Sequence, residues 1–519
     1  HHSEEQDSKV RKIIAKEVLH QNIVSGKYGG KEATRIIRPI QSSVFRLMIE
    51  IMKKYNHLEL HTQLLSYLAS EQFELYIKRK NYELSEDLSE SAMKKSKEIS
   101  NSSYIECKNT IEALKYLIET NLSITEEREN NALNNQVIQE LFPYASWLVT
   151  LQTNADLCYN IDFCDNEDFI TQIEVLDDYR IHIETGNEFF EKNKAHLSRM
   201  QENSLLVFDE PTINEEHLKK FLTAFQTDTG IDFQYLLAFL DFLYTLPYNE
   251  SIQKECEISE NVISISSILL YKEAKNVLDD SFTEGIINSL LNFLTINVSH
   301  IMDFRGKQSD LLPIWDRENR PDRIEVAPLY LSGDQYIYSP ITIYELKNRW
   351  WHGIYQFFLP YEKGLNQSIS ILTDWKSQYE HLFSRKIAEL FKSHGFEYAE
   401  YDVDIRKRDR KGTHPPITEL GDYDVIGLDK RSRRVFIIEC KFLQKISTVF
   451  EHSKEQHRFF FKEKFDEKFQ KRIDYFSKVY RSYFENQGIC IANDEYEITP
   501  YMVVNKVFVS YYKQVNFPI

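Results

Sequence analysis

The sequence predicts an α/β carboxy-terminal domain, in which helices flank a mixed sheet, attached to a large and mostly α-helical amino-terminal region. Apolar residues recur at helical spacing through roughly the first 150 residues. Near the other end, two apolar runs rich in β-branched and aromatic residues, 421–428 and 435–442, flank a charged turn and predict a strand hairpin. A helix and a strand before this hairpin, and a helix and a strand after it, complete the order expected of an α/β core.

The composition limits the classes of protein to consider. The chain has 519 residues, enough for two to four domains, and its 42% hydrophobic and 28% charged residues are typical of a soluble globular protein without membrane contact. A net charge of −17 argues against a protein that coats nucleic acid along its whole surface, but it allows a local basic groove. The six cysteines form no Cys-x-x-Cys pair, so we expect a reducing, cytoplasmic location.

Residues 1–160 are predicted to form a helical domain, because four groups of apolar residues keep the spacing of a helix face. Polar stretches separate the groups, and the glycines from Gly26 to Gly30 indicate a turn. No fixed period repeats along the chain, so a solenoid is not supported. The groups are Val10, Ile13, Ile14 and Val18; Val44, Leu47, Met48 and Ile51; Leu60, Leu64, Leu65 and Leu68; and Ile111, Leu114, Leu117 and Ile118.

Residues 161–300 are predicted to be mostly helical with a few short strands. Apolar residues alternate near 170–175 and 179–183, which favours strands, although a helix is possible for either run. From Phe233 onwards the apolar residues surround the helix almost completely, as in a buried core helix. Helices should continue to about residue 300.

The run 205–212 resembles the Walker B strand of ABC-type ATPases. A Walker B acid acts together with a phosphate loop, and no Gly-x-x-x-x-Gly-Lys-Ser/Thr motif occurs in the chain. We therefore reject nucleotide hydrolysis at this run. Its proline and threonine more simply lead into a capped helix from Glu215 to Phe225.

Residues 301–365 are predicted to form a strand-containing connecting subdomain. The run from Tyr330 to Tyr338 has the pattern of a hairpin over a Gly-Asp turn, and a second extended run should follow Pro340. The run 349–355 is rich in aromatic residues. It would either stack nucleobases or receive a partner, or it would pack an interface between domains.

Residues 366–519 contain the side chains that point to chemistry. Asp424 begins the first strand of the hairpin, and Glu439 and Lys441 end the second. Because side chains alternate along a strand, Glu439 and Lys441 should share one face while Cys440 points into the apolar layer. Pairing of the two strands would bring Asp424 beside Glu439. Charged groups beside a buried strand need a partner charge or a metal ion.

Two carboxylates and one lysine suit the hydrolysis of a phosphodiester bond. Mg²⁺, or Mn²⁺ in its place, takes one or two carboxylates and completes its shell with water and substrate phosphate. The ammonium group of Lys441 can orient the attacking water and stabilise the charge that develops on the phosphate. The residues alone therefore predict a metal-dependent phosphodiesterase.

This arrangement resembles the PD-(D/E)XK nuclease superfamily, whose pattern is an acidic residue on one strand and Glu-x-Lys on the next. Asp424 and the run Glu439-Cys440-Lys441 match that pattern, and Holliday-junction resolvases and Mrr-type restriction enzymes look most similar. The resemblance covers about the last third of the chain. It implies a restriction-endonuclease-like core, a divalent metal ion and DNA as the substrate.

The resemblance also implies a glutamate on the helix that precedes the sheet. Glu380 fits this place, because an apolar helix face follows it and a Gly-aromatic stop ends the helix near residue 395. The sequence departs from the family in two ways: Tyr423 stands where proline is common, and the spacing of fifteen from Asp424 to Glu439 requires a longer turn. Neither departure replaces an implied metal ligand, which would be Asp424, Glu439 and Glu380.

Cations cluster near the predicted site, in two loops and on the helix after the hairpin. They could contact phosphates that flank the scissile bond, and solvated surface charge is the alternative. The resemblance further gives Gln470 or Lys468 a place beside the site. The candidate phosphate contacts are Arg406, Lys407, Arg408, Arg431, Arg433, Arg434, Lys468 and Arg472.

A long amphipathic helix from about residue 454 to 484 should pack against the sheet, because phenylalanines recur along one of its sides. The apolar runs 489–491, 501–504 and 507–509 should supply closing strands.

From these residues and the resemblance we expect a divalent-metal-dependent endonuclease that acts on DNA, in restriction or anti-phage defence. The amino-terminal region would regulate it, bind a protein partner or form a homo-oligomer. Two alternatives stay open: a nuclease that cleaves RNA, and a non-catalytic interaction protein with a degenerate nuclease fold. The intact set of Asp424, Glu439 and Lys441 counts against the second.

Overall fold

The computed structural model describes most of the chain in ranges separated by gaps. The described residues are 4–24, 26–28, 30–84, 107, 109–134, 136–159, 171–175, 181–184, 215–249, 252–254, 256–259, 261–301, 322–405, 420–443, 455, 457–491, 495–504 and 515–518. The run 205–212, which resembles a Walker B strand, lies outside them.

The amino-terminal helices pack into one body around a shared hydrophobic core. The apolar groups predicted from helical spacing lie in these helices, and most of their members are buried, although Leu47 is exposed. The helical prediction for this region is confirmed. The helices are α1 (Glu4–His20), α2 (Gly30–Met52), α3 (His57–Leu84), α4 (109–122) and α5 (Gln136–Tyr159).

A small antiparallel sheet accompanies these helices. Its strands are β1 (Gly26–Tyr28), β2 (Thr171–Val175) and β3 (Ile181–Glu184), in that order. The two strands predicted from alternation are confirmed. The prediction of a plain turn at Gly26 to Gly30 was wrong, because Gly26 pairs with Ile173 across about 150 residues of chain. Sequence spacing gives no sign of such a distant partner.

The middle of the chain combines helices with a second antiparallel sheet in the order β4-β5-β7-β6. The apolar faces of these helices form a second core around the buried Trp350. The helices are α6 (Glu215–Thr229), α7 (Phe233–Thr245), α8 (Ser267–Val277), α9 (Glu284–Leu294) and α10 (Pro340–Tyr355). The strands are β4 (Glu257–Ser259), β5 (Val262–Ser266), β6 (Tyr330–Ser332) and β7 (Gln335–Tyr338).

Two predictions for this region were wrong. The strands β4 and β5 lie where helices were expected, and β5 pairs with β7 far along the chain, which stabilises a strand in spite of the helical surroundings. The extended run expected after Pro340 is the helix α10. Proline is accommodated at the first helical position, where its missing N–H costs nothing, and Ile343, Leu346 and Trp350 then bury one helix face. The β6–β7 hairpin is confirmed.

The carboxy-terminal region contains a four-stranded mixed sheet between two helices. Its order is β11-β10-β9-β8, with β10 and β11 parallel and the other pairs antiparallel. One hydrophobic cluster joins the sheet to α11, and a larger one joins it to α12. A mixed sheet flanked by helices is therefore confirmed. The elements are α11 (Asn366–Ser393), β8 (Tyr398–Val403), β9 (Tyr423–Asp429), β10 (Arg434–Lys441), α12 (Phe465–Asn486) and β11 (Glu497–Val504).

The boundaries of some elements differ from the predicted ones. The long helix expected from residue 454 is a π-helical turn (Arg458–Lys462) followed by α12, and the two are separated where Lys464 adopts a left-handed φ of 52°. The run 489–491 forms no strand, and 507–509 lies outside the described residues. The domain limits at 160, 300 and 365 stay predictions.

Candidate active site

The hairpin register brings the three predicted site residues together. The paired residues of the antiparallel ladder end at Ile438 and Val425, and Glu439 and Asp424 are the next residues along the two strands. Directly opposed residues project from the same face of a sheet. The Nζ atom of Lys441 lies 2.8 Å from Glu439 Oε1 and 3.9 Å from Asp424 Oδ2. The strand pairing thus positions two carboxylates and one ammonium group within contact distance.

The backbone of the second strand holds Asp424 in place. The N–H of Cys440 donates to Asp424 Oδ2 at 2.6 Å. The Cys440 side chain is buried in the cluster under α11, on the face opposite Glu439. This is the alternation expected from the strand pattern, and it explains why an apolar residue separates the two charged ones.

Burial sets the electrostatics of the site. Glu439 is 3% exposed, and the side chains of Lys441 and Asp424 are 16% and 22% exposed. Burial, together with the nearby charge of Glu439, raises the pKa of Asp424 to about 7. Burial disfavours the charged form of Lys441, but Glu439 and Asp424 outweigh it and raise the pKa of its ammonium group. Two carboxylates thus lie close together in a largely buried setting, with the Lys441 ammonium group beside both.

Glu380 reaches the end of β10 from the helix α11. Its Oε1 accepts a hydrogen bond of 3.0 Å from the N–H of Phe442, the first residue after the strand. The charge of Glu380 also favours the protonated form of Lys441. The helix thus carries a carboxylate to the border of the site, and one of its oxygens is held by the backbone.

Lys376 is a neighbour that the sequence analysis missed. It lies four positions before Glu380 on α11, a spacing that places both residues on one side of the helix. Burial and the charge of Arg458 lower the pKa of Lys376 to about 8, although Glu380 and Glu455 act in the opposite direction. The spacing of four residues between Lys376 and Glu380 is the sequence signal that could have identified Lys376.

Arg472 lies inside the site and not on a surface stripe. Its Nη1 is ion-paired with Glu439 Oε2, its Nε donates to the carbonyl of Leu420, and its side chain is 13% exposed. The hydroxyl of Tyr423 donates to the Arg472 carbonyl at 3.0 Å, which fixes α12 against β9. Glu439 therefore accepts from Lys441 with one oxygen and from Arg472 with the other. Sequence reasoning had placed Arg472 only among the phosphate contacts.

The other candidates on α12 occupy different positions. Lys468 is exposed, and its ammonium lies 5.8 Å from the centre of the Phe465 ring. The same ring lies 5.1 Å from Lys441 Nζ, so Lys468 borders the site across Phe465. Gln470 donates to Asp474 at 2.8 Å on the exposed side of the helix.

The arginines of the hairpin turn lie at the opposite end of the strands from the carboxylates. Glu439 lies five positions after Arg434 in β10, which corresponds to about 17 Å at the rise of a strand. Arg431 donates to the His394 carbonyl at 2.9 Å, and Arg434 lies 3.0 Å from Glu497. Arg433 lies in the same turn, and the contacts of these three arginines with phosphates stay a prediction.

Two further points concern residues around the site. Arg406, Lys407 and Arg408 lie outside the described residues. His381, next to Glu380, lies 3.0 Å from Asp402 through its Nδ1. The pKa of His381 is raised chiefly by Asp402, and also by Asp424 and Glu380. The sequence analysis gave this histidine no role.

The donor set suits a hard divalent cation. Asp424 and Glu439 offer carboxylate oxygens on one face, and Mg²⁺ takes one or two carboxylates with water. Each carboxylate oxygen has two lone pairs, so Glu439 can share its oxygens with Lys441 and Arg472. Among the described residues, three acidic or sulfur ligand atoms come close enough to hold one metal ion at Glu71, Glu74 and Cys107. Asp424, Glu439 and Glu380 do not form such a group of three, so the structure does not place Glu380 as a third metal ligand.

The chain was compared with protein families, with curated proteins and with solved structures, and none of the three comparisons gave a match. In the described part of the chain, every helix is too short or too polar to cross a lipid bilayer.

Proposed function

We propose that the carboxy-terminal domain is a divalent-metal-dependent nuclease that hydrolyses phosphodiester bonds. The observation that supports it most is the juxtaposition of Asp424, Glu439 and Lys441 on one face of paired strands, with Glu380 at the end of β10. The finer assignment to a restriction-endonuclease-like fold belongs to this proposal. It rests on the resemblance of the motif and on the order of helix, strands and helix.

In this proposal Asp424 and Glu439 hold Mg²⁺, which supplies Lewis-acid stabilisation of the phosphate charge and of a bound water. The Lys441 ammonium, held by Glu439, faces the same space and orients the attacking water. The water oxygen forms a bond to phosphorus and releases a proton to solvent, the bond from phosphorus to the leaving oxygen breaks, and the leaving oxygen takes up a proton from solvent. Glu380, held by the Phe442 N–H, borders the water and assists its orientation.

Arg472 supports the site by positioning Glu439. Because both partners are largely buried, the pair is held without competition from solvent, and the Leu420 carbonyl fixes the direction of the guanidinium. Arg472 would therefore keep the Glu439 carboxylate in place whether or not a metal ion is bound.

DNA is the proposed substrate by resemblance, and cleavage of RNA is the alternative that the same chemistry allows. Restriction or anti-phage defence, with regulation by the amino-terminal region through a protein partner or a second copy of the chain, follows from the same resemblance. The proposed chemistry applies to the phosphodiester of either nucleic acid, so a comparison of substrates distinguishes them.

The test is cleavage of supercoiled plasmid, linear duplex, single-stranded DNA and RNA by the full chain with Mg²⁺, Mn²⁺ or EDTA. Lys441→Ala should lower the cleavage rate at least 100-fold, about 2.7 kcal/mol of transition-state stabilisation. The matched control is Lys478→Ala, which removes an exposed lysine of α12. EDTA should abolish cleavage.

Equal rates for wild type and Lys441→Ala would contradict the proposed site. If no substrate is cut, Mg²⁺ binding by calorimetry decides between a silent nuclease and a non-catalytic fold. Binding that is lost in Asp424→Ala and kept in Lys478→Ala supports the metal site. Absence of binding in the wild type favours the non-catalytic interaction protein.

A further inference from the structure

A cavity of about 530 Å³, which is open to solvent, lies between the amino-terminal helices and the middle region, and no residue of the proposed nuclease site lines it. Its wall is built from the start of α3, the segment after α4, and Tyr330 of β6. Its volume is within the range of pockets that bind small molecules. Apolar residues such as Leu122 and Ile124 share the wall with polar ones such as Asn56 and Arg128.

The cavity contains a fixed guanidinium group that neutral groups surround. Arg128 donates to Asn121 Oδ1 at 2.8 Å, to the Asn121 carbonyl at 2.7 Å and to the Met52 carbonyl at 3.5 Å. An arginine has five N–H donors, so these contacts hold the group and leave donors for a ligand. Among the described residues, no carboxylate forms an ion pair with Arg128. Burial lowers its pKa to about 10.

The acidic residue in the wall is already neutralised. The Oε2 atom of Glu126, in the segment after α4, lies 2.5 Å from the Nζ atom of Lys53 and forms an ion pair with it. In addition, α3 begins at this wall, where Asn56 Oδ1 accepts from the N–H groups of Leu58 and Glu59. The amino-terminal end of a helix carries partial positive charge. The field in the cavity therefore favours an anion.

Aromatic rings form the other side of the cavity. The Tyr330 ring lies 5.7 Å from His57 and 4.6 Å from His61, measured between ring centres. Burial, and the charge of Arg128, lower the pKa of His57 to about 4, so this imidazole is neutral at pH 7. Burial raises the pKa of Tyr330, and the hydrogen bond with Ser332 and the charge of Arg128 act in the opposite direction. The cation and the rings thus face one common space.

We propose that this cavity binds a small molecule that combines an oxyanion with a planar ring, either a nucleoside monophosphate or an aromatic carboxylate. The oxyanion would accept from the free N–H groups of Arg128, which suits the planar fork of a guanidinium. The ring would pack against Tyr330 and His57. This site is independent of the nuclease proposal, because it shares no residue with it.

The test is calorimetric titration of the full chain with AMP, GMP, CMP, UMP, benzoate, inorganic phosphate and adenosine. At least one ring-bearing anion should bind saturably. Phosphate without a ring and adenosine without an anion should bind at least tenfold more weakly. The nucleotides and benzoate distinguish the two sources of the oxyanion. Binding by none of the ring-bearing anions would overturn the proposal, whatever the result of the cleavage assay.

Two variants locate the binding. Leu58→Asp places a carboxylate at the wall, in the first turn of α3, where acidic residues suit the helix and folding should be kept. It should weaken binding at least tenfold, as should Arg128→Gln. The matched control Arg35→Gln removes an exposed arginine of α2 and should bind like wild type. Unchanged binding in Leu58→Asp, with an unchanged circular dichroism spectrum, would overturn the location.

Discussion

Gly427 lies in β9 against two aromatic side chains, Phe391 of α11 and Phe396 just after that helix. A Cβ atom at this position would lie 2.7 Å from Phe391 Cδ2 and 3.3 Å from Phe396 Cδ1. The rings of Phe391 and Phe396 stack with centres 4.4 Å apart, and Phe436 packs against both. These rings have little room to move, so the strand needs a residue without a side chain here.

Gly427→Ala should therefore lower the free energy of unfolding by about 1–3 kcal/mol, the usual cost of overpacking. Urea unfolding followed by circular dichroism measures it. The control is Gly285→Ala in α9, where a Cβ would meet only the Thr283 hydroxyl at 4.0 Å. That variant should match wild type or be slightly more stable. If Gly427→Ala were as stable as Gly285→Ala, the result would show that Phe391 moves aside.

His61 makes stability depend on pH. It is fully buried beside Tyr330, its ring nitrogens have no hydrogen-bond partner within the described residues, and burial lowers its pKa to about 3. The unfolded chain takes up a proton near pH 6.5, whereas the folded chain does not. The contribution of His61 is thus present above pH 6.5 and is lost as the pH falls, by about 1.4 kcal/mol per pH unit down to the folded pKa.

Between pH 6.5 and 5, His61→Phe should consequently lose about 2 kcal/mol less stability than wild type. The phenyl ring keeps the contact with Tyr330 but does not titrate. Urea unfolding at several pH values gives the slopes, and His352→Phe, at an exposed position, serves as the control. Parallel curves for wild type and His61→Phe would contradict the assignment.

At the scale of elements, the helix that carries Glu380 is capped by a distant residue. The position before α11 is Leu365, whose side chain cannot cap the helix. Instead, Asp228 of α6 accepts from the N–H of Gln367 at 3.2 Å and from the N–H and hydroxyl of Ser368 at 2.8 Å each. This carboxylate joins the middle of the chain to the proposed nuclease domain and also interacts favourably with the helix dipole.

Asp228→Ala should lower the free energy of unfolding by about 1–2 kcal/mol, as loss of a helix cap does. Urea unfolding measures it, and the control Asp280→Ala removes an exposed aspartate before α9. Asp228→Asn should lie between wild type and Asp228→Ala, since an amide oxygen still accepts but has lost its charge. A wild-type unfolding curve for Asp228→Ala would show that water replaces the cap.

At the scale of the whole molecule, a buried charge cluster joins the amino-terminal helices to the middle region. Glu325, 6% exposed, is paired with Lys115 of α4, with Arg323 at 2.7 Å and with Arg349 of α10 at 3.1 Å. Arg323 also donates to the Pro360 carbonyl at 2.9 Å. Glu325 thus pairs with cations from three segments, and one of them, Lys115, also pairs with Glu112 at 2.8 Å.

Glu325→Gln should lower the free energy of unfolding by roughly 3–5 kcal/mol, because it removes a buried negative charge that three cations share. The control Glu216→Gln breaks an exposed pair with Lys220 and should not change stability measurably. Thermal and urea unfolding of the full chain compare the two. A small effect of Glu325→Gln would mean that water enters the cluster and solvates Arg323.

The sequence by itself determined the helical amino-terminal region, the β9–β10 hairpin and the juxtaposition of Asp424 with Glu439 and Lys441. These features depend on helical spacing, on strand alternation and on one short turn, all of which act between residues close together in the chain. The α11 helix could be predicted for the same reason, whereas Glu380 was singled out only through the resemblance of the motif.

Only the tertiary structure decided which distant residues complete these features. The pairing of Arg472 with Glu439, the cap of α11 by Asp228, the strand β1 and the cavity around Arg128 each join segments that are far apart in sequence. Such contacts depend on how helices and sheets pack, and packing is set by the shapes and volumes of whole faces. Residue spacing along the chain carries no record of them.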